Sequence, residues 1–344
     1  MKRILVYLCK CAVAGIISLV ILTAFSMVYY NPPIATVQPD LSTNYKLSPN
    51  SNWSYMLEGF GYGKTDEFGY NNAYYADESM ADIVFAGSSY TEALQVPYDC
   101  NFVYLLNKKF DKDKINDNDF KCVNLGISGH SFEVSVNNFE YIAKKYANAK
   151  YTVIETANVE FSPSGLDAVI NGKYHDPMKK GSYLRRLVQK NPYFRLMYKK
   201  INEIKSVNAV TDVQSNLAES SDEEKLNIYN DKLNSILKNI SDLCKENGSQ
   251  PIILMHERFF VDGSGNITLE NKEIYREAFK ECCKNNNIKV IDVVPEMIEE
   301  YKKSCKFSYG YSNGVPGEGH LNKTGHRIIS ETVYKKINEM EEIK

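Results

Sequence analysis

Five short apolar runs, each followed by a polar loop and most of them by a helical pattern, leave this chain few ways to fold. They are Ile83-Val84-Phe85-Ala86, Cys122-Val123-Asn124-Leu125, Tyr151-Thr152-Val153-Ile154, Pro251-Ile252-Ile253-Leu254-Met255 and Lys289-Val290-Ile291-Asp292-Val293. Helical spacing is expected over Asn101 to Phe110, from a Ser131 cap to about Tyr146, and from about Lys323 to Glu341. Strand and helix alternating in this way predict a mostly parallel sheet covered on both faces. Between the third and fourth runs lies a helical insertion, about 162–248. Its clearest element starts near Ser221, with Leu226, Tyr229, Leu233, Ile236, Leu237, Ile240 and Leu243 at helical spacing and Gly248 as a stop.

In such a sheet, ligands bind at the carboxyl ends of the strands. Polar motifs follow the first three runs: Gly87-Ser88-Ser89-Tyr90-Thr91-Glu92, Asn124-Leu125-Gly126-Ile127-Ser128-Gly129-His130, and Ala157-Asn158. A fourth, Gly319-His320-Leu321-Asn322-Lys323-Thr324-Gly325-His326, comes after the fifth run. Ser89 offers a hydroxyl nucleophile, Gly129 a backbone donor, Asn158 a side-chain amide and His320 an imidazole base. Acyl transfer through serine needs these parts. Taken singly, each has a plainer reading: a loop tripeptide, a tight turn, a helix cap, a surface histidine. Their order and shared placement after strands favour the catalytic one. His326 reads as structural, His130 as exposed or near substrate, and His256 as the end of a strand. His175 has no visible partner.

At these residues the chain resembles the SGNH hydrolase superfamily, also called the GDSL family. The resemblance runs from about Asp82 to the C-terminus and implies a three-layer α/β/α, flavodoxin-like fold of about five parallel strands. It implies Ser89 as nucleophile, His320 as base, and Ser89, Gly129 and Asn158 as oxyanion donors. Ser88 stands where the family usually has Asp. The family's Asp three residues before the histidine is Gly317 here, so Glu318, a backbone carbonyl, or no third group at all are the alternatives for orienting His320. No metal or organic cofactor is required by this chemistry.

The N-terminus bounds the location. Lys2, Arg3 and Lys10 precede twenty uncharged residues, Cys11 to Tyr30, enough helix to cross about 30 Å of hydrocarbon. The leading cations favour a cytoplasmic N-terminus. The expected organisation is a single-pass transmembrane anchor over 1–30, a stalk with entry loops over 31–80, and an extracytoplasmic SGNH hydrolase-like domain over 81–344. A cleaved signal peptide is the competing reading, but no small-x-small cleavage site is evident. The six cysteines beyond the anchor read as buried free thiols. A net charge of -2 gives no reason to expect nucleic acid. The function expected is a membrane-tethered esterase removing short acyl groups, O-acetyl foremost, from a cell-surface glycan. The alternatives are an acyltransferase on a surface polysaccharide and an inactive glycan-binding scaffold.

Overall fold

The computed structural model describes residues 2–37, 45–72, 80–112, 120–172, 190–207 and 222–342. The chain opens with α1 (Lys2–Tyr29), which is long and apolar enough to cross a membrane and is not buried against the rest of the protein over its apolar window. Five short strands follow: β1 (Tyr30–Asn31), β2 (Ala35–Val37), β3 (Tyr45–Leu47), β4 (Asn52–Tyr55) and β5 (Gly61–Lys64). β1, β4 and β5 form an antiparallel sheet, and β2 pairs with β3. The stretch expected to be a stalk is thus, where described, a small β layer with a buried Trp53. Its Ser54 hydroxyl donates to the Met27 carbonyl at the end of α1.

The five apolar runs become β6 (Ile83–Ala86), β7 (Cys122–Asn124), β8 (Tyr151–Thr156), β9 (Gln250–Met255) and β12 (Lys289–Asp292), with a β10 (Phe259–Val261) and β11 (Ile267–Leu269) hairpin between the last two. The parallel sheet runs β7-β6-β8-β9-β12. Numbered by sequence within the sheet, that is 2-1-3-4-5, the flavodoxin-like order, with the reversal point beside the first strand.

Side chains alternate across each strand and so feed two layers. Ile83, Phe85, Val153, Ile252 and Leu254 join the core beneath α3 (Phe102–Lys112) and α11 (Lys323–Glu342). Ile154, Ile253 and Met255 face the other way. There they meet α4 (Phe132–Asn137), α5 (Phe139–Lys145), α8 (Asp222–Glu246) and α9 (Glu273–Asn285). The remaining helices are α2 (Ser89–Glu92), α6 (Pro163–Ile170), α7 (Pro192–Val207) and α10 (Val294–Ser304).

Where described, the insertion after the third sheet strand is helical and includes α6, α7 and α8. α8 buries Tyr229, Leu233, Ile236, Leu237 and Ile240, the stripe its spacing required, and Gly248 follows at a φ of +71°. The helix expected from Ser131 to Tyr146 is instead two, broken at Asn138, whose N–H turns to the Val134 and Val136 carbonyls. Ser131 precedes α4 without a side-chain capping bond. The cysteines are free; Cys122, Cys244, Cys282 and Cys283 are buried, while Cys305 is exposed and Cys100 partly so. His175 lies outside the described residues.

Candidate active site

Ser89 opens α2 directly after β6. The turn is short because Ser88 caps it, its Oγ accepting the Tyr90 N–H at 3.2 Å, and Ala93 ends it at a φ of +59°. A buried carboxylate fixes this turn from the neighbouring strand. Glu155 Oε2 accepts from the Ser88 N–H at 2.7 Å, the Ser88 hydroxyl at 2.8 Å and the Thr91 hydroxyl at 3.0 Å. Its other oxygen stands 3.0 Å from His256 Nε2, and His256 Nδ1 is 2.6 Å from the Tyr309 hydroxyl. Burial alone would raise the Glu155 carboxyl. The His256 bond and charge and the two Ser88 bonds outweigh it and hold the group below its ordinary value. A buried charge survives only when paired and bonded in this way.

His320 lies on the loop before α11 and reaches Ser89 across 231 positions, with Nε2 and Oγ 2.9 Å apart. Its orienting group is Glu58, from the turn between β4 and β5. Glu58 Oε2 is 2.7 Å from Nδ1, and Oε1 accepts the His320 backbone N–H at 2.6 Å. Burial pushes the Glu58 carboxyl up, but the His320 bonds and charge prevail and keep it below the ordinary carboxylate value. An ionised carboxylate only accepts, so Nδ1 carries the proton and the Nε2 lone pair faces Ser89.

This corrects the expectation for Glu318, which is exposed and whose N–H bonds the Val315 carbonyl at 3.2 Å. The approach of Glu58 depends on Gly319, at a φ of +79°, where a Cβ would stand 2.2 Å from Glu58 Oε1. Asn313 pins the Glu58 turn, accepting the Gly59 N–H at 2.9 Å and donating to the Met56 and Gly59 carbonyls at 3.0 and 3.1 Å.

β6 lies between β7 and β8, so the loops after all three open on one edge of the sheet. Gly129, at a φ of +87°, and Asn158 are both exposed there. Asn158 Oδ1 accepts the Glu160 N–H at 3.0 Å, which leaves its Nδ2 as a free donor among the described residues. The Gly129 loop is tied down from α2. Buried Glu92 accepts the Ser128 N–H at 3.1 Å and bonds the Ser128 hydroxyl. The two segments meet closely at Gly126, where a Cβ would stand 2.2 Å from Glu92 N.

Burial raises the Glu92 carboxyl to about 7 against the opposing Ser128 bonds, and its Oε1 has no partner among the described residues. As pH rises past about 4.5 the unfolded chain gives up this proton while the fold keeps it until about 7. The fold therefore loses stability across that window, roughly 3 kcal/mol in all. Glu92→Gln is expected to flatten this decline, so that denaturation midpoints of the two proteins converge at pH 5 and separate at pH 8 in favour of the variant. Parallel curves would show that Glu92 ionises normally.

The other histidines fall inside. His326 is buried against Phe102, its pKa lowered to about 3, chiefly by desolvation. His130, expected at the surface or near substrate, is also buried, which lowers its pKa to about 4. His256 and Glu155 were not foreseen as a pair; the signal was an acid directly after the run Tyr151 to Ile154, in a strand buried throughout, where a charge must find a partner. The described residues hold no group of three or more His, Cys, Asp or Glu able to bind a metal.

No protein-family model matches the chain, and no curated protein matches it. Solved structures do. A lipolytic protein of the G-D-S-L family from Veillonella parvula is 16% identical with a TM-score of 0.35, over 74% of this chain and 96% of that one. LAE5, an alpha/beta hydrolase enzyme from the metagenome of Lake Arreo, Spain, is 12% identical with a TM-score of 0.41, over 75% and 94%. A two-domain esterase active on acetylated mannans, co-crystallised with mannopentaose, is 11% identical with a TM-score of 0.41, over 75% of this chain and 49% of that one. Likeness at this level assigns neither activity nor substrate to this chain.

Proposed function

We propose that this chain is a serine ester hydrolase, anchored by α1, that removes short acyl groups, O-acetyl foremost, from a glycan outside the membrane. The observation that carries the reading is the relay Ser89–His320–Glu58, at 2.9 and 2.7 Å. His320 Nε2 takes the Ser89 proton as Oγ attacks the ester carbonyl. The oxygen that becomes negative is met by the N–H groups of Ser89 and Gly129 and by Asn158 Nδ2. Each such donor typically contributes about 10²–10³ in turnover. His320 returns the proton to the departing sugar oxygen. Water then enters by the same route and releases the acid.

Ser89 and His320 are half-buried, and Gly129 and Asn158 are exposed. A rim this open suits an ester carried on a bulky polymer, and an acetyl group needs no deep apolar channel. The full-length protein is expected to react with a fluorophosphonate at Ser89, to prefer acetyl over longer acyl chains in an aryl ester series, and to release acetate from an acetylated polysaccharide. Labelling that persists in Ser89→Ala would overturn the nucleophile. Preference for long chains would move the substrate to lipids. Faster transfer to an oligosaccharide hydroxyl than to water would make the protein a transferase.

A further inference from the structure

α7 carries an outward apolar stripe and turns two cations toward the protein. Asn191 starts it, accepting the Tyr193 N–H at 2.9 Å, and also bonds Thr23 of α1 through Nδ2 at 3.2 Å. Two of its cations, Arg195 and Lys199, point inward, while Lys200 is exposed. Arg195 donates to the Pro32 carbonyl at 2.5 Å and to Asn31 Oδ1. Lys199 donates to the Tyr55 hydroxyl at 2.9 Å and lies over the Tyr30 and Tyr55 rings. Four apolar residues face out: Phe194 is 40% exposed, Met197 42%, Tyr198 38% and Ile201 45%. Their spacing of three, one and three makes a single stripe. An outward apolar stripe of this kind marks an interaction surface.

What covers it follows from where α7 is fastened. Thr23 lies six residues before the end of α1, about 9 Å along the helix axis. That is within the 5–10 Å to which interfacial helices sink their apolar faces. Tyr29 and Tyr30 close the apolar stretch of α1, where membrane-spanning helices commonly carry aromatic rings. We propose that the outer face of α7 lies in the head-group region of the same bilayer that α1 enters, as a second attachment beside the anchor. The proposal rests on α1 being embedded in lipid. Two attachments joined through the β1-β4-β5 sheet hold the domain at a fixed height, and the Glu58 turn belongs to that same sheet. Esters close to the membrane surface are then the ones within reach of Ser89.

Tryptophan probes test this in full-length protein reconstituted into phosphatidylcholine vesicles with and without brominated acyl chains. Met197→Trp is expected to emit at shorter wavelength than Ile274→Trp, at an exposed position of α9, and to lose most of its emission to bromolipid. Val20→Trp reports the anchor separately, and the wild-type signal from buried Trp53 is subtracted. If Val20→Trp is quenched and Met197→Trp is quenched by iodide instead, the proposal fails while the anchor stands. Met197→Trp shielded from both quenchers means a protein covers the stripe, and the lipid assignment fails. If Val20→Trp is itself unquenched, the anchor reading falls and the proposal with it.

Discussion

Ser89→Ala is expected to lower turnover of an aryl acetate by about 10⁴–10⁶-fold while leaving the denaturation midpoint nearly unchanged. The fold should tolerate it because the bonds that fix the turn come from Ser88 and Thr91 to Glu155, not from Ser89. His320→Ala should cost a similar factor, and the double variant little more, since nucleophile and base act as a unit. The residual rate then measures what the oxyanion donors and binding achieve alone. Additive losses in the double variant would mean the two groups serve separate steps, and the relay would be wrong.

Glu58→Gln is expected to cost about 10⁴-fold in kcat with little change in KM. The amide oxygen can still accept the His320 backbone N–H, so the loop should hold its place. The amide NH₂ then faces Nδ1 and can only donate. That drives the ring proton to Nε2, where it points at Ser89 and blocks proton removal. Glu58 is held below the ordinary carboxylate value, so in the native protein it stays ionised at neutral pH and through mildly acid conditions. Its contribution to stability is present above about pH 4.5 and fades as pH falls through its lowered folded value. Glu318→Gln should leave kcat unchanged, because Glu318 is exposed and Glu58 already occupies the His320 Nδ1 and backbone N–H. The reverse pattern, with Glu318→Gln damaging and Glu58→Gln neutral, would place the orienting group on the shifted loop after all.

The strands were legible because burial on both faces demands runs such as Ile83 to Ala86 and Ile252 to Met255, and few other patterns satisfy that demand. α8 was legible for the related reason that one buried stripe repeats every 3.6 residues. The break at Asn138 was not, because Phe139 and Ile142 continue a helical pattern across it. Glu58 was not legible either. It sits 262 positions from His320 in a segment that reads as loop, and no spacing rule links a turn to a histidine so far along the chain. The closest hint was a negative one: Gly317 stands where the resemblance implied a local carboxylate, so a partner had to come from elsewhere or not exist.

The sequence by itself determined the sheet, the order of the loops along its edge, and a Ser and a His among them, because these follow from local periodicity and chain direction. Tertiary structure alone decided which acid orients His320, which acid holds the Ser88 turn, and which way α7 faces. Those depend on a handful of close approaches, a missing Cβ at Gly319 against Glu58 above all, and contact distances of that kind leave no periodic trace in a chain.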